Sequence, residues 1–282
     1  MQCLKKLFAA DYVPVIQFSL KEVPIKAQEM TGKLSISGVQ PKLSMKLNRK
    51  ARALEVVPSG GEYILKPQVN IFHNMPQNEN LCMTIALNLG INIPPQALIK
   101  LEDGTWAYIV KRFDRNKDKK IHQEDFYQIL NKEDKYNGSV EEIGKELKKI
   151  SDVPGLDIQL YYERVLFNFI IGNGDAHLKN FSIVYDNSGK ARLSPAYDIV
   201  SSKLVIPEEE DTALTLNGKK NKITIKDFQA LAEYFGIANK EINGKLLSSK
   251  KEIIAFVKKS ILEKSEKNRL SDIIEERYSR LI

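Results

Sequence analysis

Asp175, His177, Lys179 and Asn180 fall within six positions in Gly172-Asn-Gly-Asp-Ala-His-Leu-Lys-Asn-Phe181, and Asp198 follows in Pro195-Ala-Tyr-Asp198. A turn that needed only solubility could use any small polar residue, so an acid, an imidazole, an ammonium and an amide set this close suggest placement for chemistry. Phosphoryl transfer from ATP needs one carboxylate to orient a hydroxyl and take its proton. It also needs an amide oxygen and a second carboxylate to hold Mg2+ against the phosphates. Asp175, Asn180 and Asp198 supply those groups, and the step of five from Asp175 to Asn180 repeats the catalytic-loop spacing of protein kinases. Lys179 is a cation that could neutralise charge building on the transferred group. His177 has only His73 and His122 as company, so no metal cluster is available to it. It reads equally as a loop-orienting or phosphate-contacting side chain and as a purely structural one. Each residue taken singly is commonly a turn former or a chance match, and it is the order of the set after an apolar helix that favours the kinase reading.

The elements that must position this set can be read around it. Asp157 to Ile171 is a strongly apolar run at helical spacing that stops at Gly172 and Gly174. After the loop, Phe181 to Tyr185, a turn at Asn187-Ser-Gly189 and Ala191 to Leu193 read as a short hairpin. Upstream, β-favouring runs dominate from about residue 34 to 113: Leu43 to Leu47, Tyr63 to Lys66, Ala97 to Leu101 and Trp106 to Phe113, the last two joined by Asp103-Gly104. One helix, Glu79 to Leu89, interrupts them and is stopped by Gly90. Beyond Asp114 the periodicity is helical, with a capping box at Ser139-Val-Glu-Glu142 and helices over Thr224 to Phe235 and from Lys245 to the end. The expectation is an α+β chain with the two lobes of a protein kinase, a β-rich lobe over 1–113 and a mainly helical lobe over 114–282.

ATP would then be held by the first lobe. Lys66, in Tyr63-Ile-Leu-Lys66-Pro67, occupies the position of a strand lysine that pairs with nucleotide phosphates, and an ordinary edge-strand lysine is the plainer alternative. Glu79 is a possible partner for it. Ser35-Ile-Ser-Gly-Val-Gln-Pro-Lys42 precedes a strand and could cover phosphates with its backbone amides and Lys42. It carries one glycine, so it is neither G-x-G-x-x-G nor a Walker A motif, and spacing alone leaves the assignment open.

Composition narrows the class. A chain of 282 residues with 43% hydrophobic residues can bury a sizeable core. The longest apolar runs are far short of the roughly 18 residues that span a bilayer. Only Leu7 to Ala10 follow Lys5 and Lys6 before Asp11, too short for a secretory core, so the expected location is the cytoplasm. Cys3 and Cys82 lack partners and read as reduced thiols. The net charge of +7 is spread over Lys117 to Lys120, Lys219 to Lys222 and a carboxy-terminal third where Lys and Glu alternate. That pattern fits solvated helix faces better than a nucleic-acid groove, and no sequence-specific nucleic-acid motif stands out.

Ser35-Ile-Ser-Gly-Val-Gln-Pro-Lys42, Tyr63-Ile-Leu-Lys66-Pro67, Ile109-Val-Lys-Arg-Phe-Asp-Arg115, Asn173-Gly-Asp-Ala-His-Leu-Lys-Asn-Phe-Ser182 and Leu193-Ser-Pro-Ala-Tyr-Asp-Ile199 together resemble the successive motifs of HipA-type serine/threonine kinases, the toxins of bacterial toxin-antitoxin modules. The resemblance covers about residues 33 to 200. It implies that Asp175 is the catalytic base, Asn180 and Asp198 the Mg2+ ligands and Lys66 the ATP lysine. It also implies that Ser37, Gly38, Val39, Gln40 and Lys42 form a phosphate loop and that Lys111 to Phe113 meets adenine through its backbone, with Lys111 where the family more often has Glu. The kinase core begins almost at once, which resembles the short HipT form whose amino-terminal subdomain is a separate small protein. The implied partners are therefore a HipS-like antitoxin, a DNA-binding HipB-like protein and, as substrate, an aminoacyl-tRNA synthetase whose phosphorylation stalls translation. Ser35 and Ser37 align with serines that such kinases phosphorylate on themselves, where a phosphate would shift the loop away from the nucleotide-competent state. Aminoglycoside-type phosphotransferases share the Gly-Asp and later Asp layout but not the Ser35 to Lys42 loop. A non-catalytic basic binding module would not need the intact Lys66, Asp175, Asn180 and Asp198 set.

Overall fold

Leu43, Met45 and Leu47 alternate with Ser44, Lys46 and Asn48, a period of two that puts one face of a strand into a core and the other toward polar neighbours. In the computed structural model this run is strand β1, Leu43–Asn48. With β2 (Ala53–Val56), β3 (Tyr63–Pro67), β4 (Gln96–Lys100) and β5 (Trp106–Lys111) it builds a five-stranded antiparallel sheet in the order β2-β1-β3-β5-β4. The structure describes residues 2–31, 40–116, 119–238 and 245–282. The chain divides into two units, Met1–Asn80 with Pro94–Lys120, and Leu81–Ile93 with Ile121–Ile282. That division sets the later boundary after Lys120 rather than Phe113 and gives Leu81–Ile93 to the second unit.

In the first unit, Leu43, Met45, Leu65, Ala107 and Ile109 point to one side of the sheet. There they meet Leu7 and Phe8 of helix α1 (Gln2–Phe8), Ile16, Phe18, and Val23 of helix α2 (Val23–Thr31). The opposite side carries Lys66 and Tyr108, which face each other in the β3–β5 register. Strand β5 stops at Lys111, two residues short of the expected run. Helix α3, Met75–Asn88, starts a turn earlier than its apolar periodicity suggested, and its residues from Leu81 on belong to the second unit and include Cys82, a buried thiol in no disulfide. The two-stranded ribbon of β6 (Arg115–Asn116) and β7 (Lys119–Lys120) completes this unit.

The second unit is built on α5 (Val140–Ile150) and α6 (Pro154–Ile170). Ser139 caps α5 by accepting from the Glu142 amide at 3.0 Å, but the Glu142 carboxylate pairs with Lys132, so only half of the expected capping box is made. Pro154 opens α6, where its missing N–H costs nothing, and Tyr161, Phe167, Phe169 and Ile170 are fully buried along it. A Cβ on Gly144 would lie 2.2 Å from the Phe235 ring, so glycine is what lets α7 (Ile225–Phe235) close on α5. A three-stranded sheet, β10-β9-β8, adds β8 (Gln123–Asp125) to the expected hairpin of β9 (Ser182–Tyr185) and β10 (Ala191–Leu193). Asp125 caps the single turn α4, Phe126–Ile129. The region after Lys245 breaks into α8 (Lys245–Ser248), α9 (Lys250–Lys259) and α10 (Lys264–Ser279). No helix among the described residues is long and apolar enough to cross a membrane.

Candidate active site

Helix α6 delivers the loop. Its last turn closes on Ile171, and Gly172 takes the left-handed φ of +69° that turns the chain away. The Asn173 amide then returns to the Asn168 carbonyl at 2.8 Å, and the two side-chain amides meet at 2.9 Å. Gly174 is required by close approach, since a Cβ there would lie 2.5 Å from Glu209 Oε2 and from the Glu210 carbonyl. Its N–H donates to Ser202 Oγ at 2.8 Å, and Ser202 in turn donates to Glu209. Burial, reinforced by the charge of Asp175, raises the Glu209 carboxyl above the ordinary range, against the pull of the Ser202 hydroxyl.

Asp175 is half-buried, and its Oδ1 accepts the Tyr136 hydroxyl at 2.7 Å. His177 is buried, with its ring edge against the Tyr136 ring at 5.4 Å. Burial lowers its pKa, while Asp175 and, more weakly, Asp198 pull the other way, so both carboxylates lie within electrostatic reach of this imidazole. His177 also starts a 3-10 turn, Leu178–Asn180, in which its N–H donates to Asn180 Oδ1 at 2.9 Å. Asn180 keeps a second lone pair for any other partner. Lys179 is exposed, its ammonium 4.2 Å from the centre of the Tyr127 ring.

Asp198 reaches the same place from the far side of the hairpin. Asp157, fully buried on α6, accepts from Ser151, from Arg192 at 2.8 to 3.1 Å and from the Leu193 amide at 2.9 Å, which fixes β10. Burial by itself would raise the Asp157 carboxyl, but these donors outweigh it and hold the group below the ordinary range. From β10 the chain runs to Tyr197, whose hydroxyl contacts the Lys179 carbonyl at 2.9 Å and Ser182 Oγ at 3.1 Å. Asp198 itself takes a left-handed φ of +54°, which Asp tolerates better than most residues. Tyr197 therefore ties the Asp198 segment to the Asp175–Asn180 loop. Among the described residues no three His, Cys, Asp or Glu side chains come together as a metal site. One carboxylate and one amide oxygen, Asp198 and Asn180, are a hard-donor set that fits Mg2+, which keeps several waters and borrows phosphate oxygens.

In the first unit, Lys66 is 4% exposed and its Nζ meets Glu79 Oε1 at 2.6 Å, so the pairing anticipated from sequence is made. The Tyr108 ring lies 5.6 Å from the ammonium. Gln40 Nε2 donates to the Pro67 carbonyl at 2.9 Å, which ties the end of the expected phosphate loop to β3, and Lys42 is exposed beside it. Ser35, Ser37, Gly38 and Val39 lie outside the described residues. Lys111 ends β5 with its N–H on the Pro95 carbonyl at 2.8 Å, and Phe113 is half-buried just beyond. Sequence reasoning missed Tyr136, Tyr197, Ser202 and Glu209. Only Tyr197 carried a signal, as the neighbour of a candidate ligand.

Comparison with known proteins bears on the family and the fold. The family model described as HipA-like C-terminal domain matches residues 34–264. A Haemophilus influenzae protein, named as a kinase by inference, is 30% identical over 274 residues, covering 90% of this chain and 79% of its own length. The serine/threonine-protein kinase toxin HipA of Shewanella oneidensis is 27% identical over 238 residues, covering 76% of this chain but 54% of the toxin. A solved structure of Shewanella oneidensis HipA, in complex with HipB and operator DNA, superposes with a TM-score of 0.73 at 22% identity, over 88% of this chain and 65% of that one. At that identity the likeness speaks to the kinase-like α+β fold.

Proposed function

The chain belongs to the family of HipA-like C-terminal domains, and from that premise we propose that it is an ATP-dependent serine/threonine protein kinase acting as the toxin of a toxin-antitoxin pair. The observation that carries the reading is the cross-tied segment of the second unit, in which one helix, one hairpin and the Tyr197 hydroxyl gather Asp175, Asn180 and Asp198. In the proposed reaction the acceptor hydroxyl oxygen forms a bond to the γ-phosphorus of ATP, the bond from that phosphorus to the bridging oxygen breaks, ADP leaves and the proton passes to Asp175. Asn180 and Asp198 would hold Mg2+, which supplies charge neutralisation on the phosphates. Lys66, steered by Glu79, would meet the nucleotide phosphates, with the backbone from Lys111 to Phe113 at adenine and Gln40 and Lys42 at the loop end. Lys179 would offset charge on the transferred group, drawn off the Tyr127 ring, and His177 would hold the loop rather than touch phosphate, as its burial favours.

The resemblance extends the proposal to an aminoacyl-tRNA synthetase as acceptor, to regulation by phosphorylation of Ser35 or Ser37, and to HipS-like and HipB-like partners. The solved relative's complex with HipB supports the last of these. A groove of about 640 Å³ in the first unit, with exposed Val13 and Val15 beside Leu98, Leu101 and Trp106, offers apolar surface for a small protein. The test is incubation of purified protein with Mg2+ and γ-labelled ATP, alone and with candidate synthetases. Label on protein that disappears in Asp175→Asn and Asp198→Asn is the expected result, with nucleotide binding weakened in the second variant. Near-wild-type turnover in either variant removes the assignment, and transfer only to a sugar or antibiotic would make the protein a small-molecule kinase.

A further inference from the structure

The hydroxyl that meets Asp175 belongs to the chain itself. Tyr136 sits in the loop before α5, and four interactions hold it in place. The Leu178 amide donates to the Lys135 carbonyl at 3.2 Å, and the Tyr136 amide donates to Asp134 at 3.0 Å. The Tyr136 ring meets the His177 ring edge-on at 78°, and the Lys135 ammonium stands 4.7 Å over its face. The phenol remains a donor at any working pH, because burial and then the neighbouring Asp175 push its ionisation well above the ordinary value. Among the described residues this phenol is the one hydrogen-bond donor recorded on the Asp175 carboxylate.

We infer, resting on the reading that Asp175 takes the acceptor proton, that Tyr136 is a positioning residue for the transfer: its O–H fixes Oδ1 of Asp175 and so presents Oδ2 to the acceptor hydroxyl. A carboxylate on its own turns about a broad, nearly two-fold torsion. Transfer demands that the acceptor oxygen be held to within fractions of an ångström of its line of attack, so a freely turning base would spend much of its time misaligned. The anchoring is one-sided. Oδ1 is engaged from the α4–α5 side, and the accepting lone pairs of Oδ2 are left for an incoming hydroxyl.

Tyr136→Phe deletes only the O–H and keeps the ring against His177 and under Lys135. Wild type, Tyr136→Phe and Asp175→Asn are compared with Mg2+, γ-labelled ATP and myelin basic protein as a generic acceptor, scoring self-labelling as well. The expected result is a kcat lower by about tenfold in Tyr136→Phe. KM for ATP and the thermal midpoint should be unchanged. A wild-type or higher kcat overturns the inference, the higher value making the phenol an obstruction. So does a loss that appears in KM or in stability instead. If wild type transfers no phosphoryl group, or Asp175→Asn transfers at the wild-type rate, the kinase reading falls and this inference with it. An inactive Asp175→Asn beside an unimpaired Tyr136→Phe removes the inference alone.

Discussion

Glu79→Gln isolates the physical weight of the Lys66 pair. The two side chains are 5% and 3% exposed and meet at 2.6 Å, so the substitution removes a charged partner from an ammonium in a dry site. Breaking a buried pair from one side costs roughly 3–5 kcal/mol, whereas replacing both members by apolar groups of similar volume is often neutral or stabilising. For a chain of this size the single variant should lower the thermal midpoint by on the order of 10 °C. Lys66→Met with Glu79→Leu should recover most of that loss while nucleotide binding stays abolished, because the proposed phosphate contact is gone. Circular dichroism melts and urea titrations give the stability arm, and a fluorescent ATP analogue gives the binding arm. A Glu79→Gln penalty under about 1 kcal/mol would mean that water reaches the pair. A double variant no more stable than the worse single one would show that the pair's surroundings, and not its charge, set the cost.

Gly174→Ala drives a Cβ to within 2.5 Å of the Glu210 carbonyl, a backbone atom that cannot swing aside, so phosphoryl transfer should fall by on the order of a hundredfold with a stability loss of about 1–3 kcal/mol. Steady-state kinetics alongside melts separate the two effects, and full activity would refute the close approach. The folded Asp157 carboxyl titrates below its ordinary value of about 3.9, so its stabilisation is complete above that pH and is lost as pH falls through the lower folded value. Asp157→Asn should therefore flatten the dependence of unfolding free energy on pH below about pH 4, as urea titrations at several pH values would reveal. Ser35 or Ser37 should carry phosphate in protein expressed in active form and none in Asp175→Asn. Peptide mass spectrometry decides this, and an unmodified loop in active enzyme incubated with ATP counts against it.

The parts legible in the sequence were those whose signal is local. Leu43 to Leu47 announces itself by alternation, Trp106 to Lys111 by an unbroken run of β-favouring and apolar residues, α6 by an unbroken apolar face, and the loop by Gly172 and Gly174 at the positions where φ or close packing excludes a side chain. Strand β8 was invisible because Gln123, Glu124 and Asp125 have little strand preference, and backbone pairing to β9 holds them there. Strand β2 is four residues long, and among the described side chains of α1 the buried ones are Leu7 and Phe8. Within the candidate site, Asp175, Asn180 and Asp198 stood out by type and spacing. Tyr136 did not, because its contact with Asp175 closes a gap of 39 residues that no periodicity encodes. The same holds for Ser202 and Glu209, which act on Gly174 only after the chain has folded back.

Helix α6 holds the site from both of its ends. Its first turns carry Asp157, which grips β10, and its last turn carries Asn168, which grips Asn173. Everything from Asn173 to Leu193 is thus a handle fastened twice to one rod, and its outer bend, the Asp186 to Lys190 turn, is exposed. A handle of this kind cannot be lifted at one attachment without straining the other. Amide hydrogens along it should exchange as a block with those of α6, through one cooperative opening rather than by fraying. Asp175 and Asn180, the proposed proton acceptor and metal ligand, would then be lost together, so the segment should behave as all or nothing under heat, while a tag spliced into the exposed bend should leave it undisturbed.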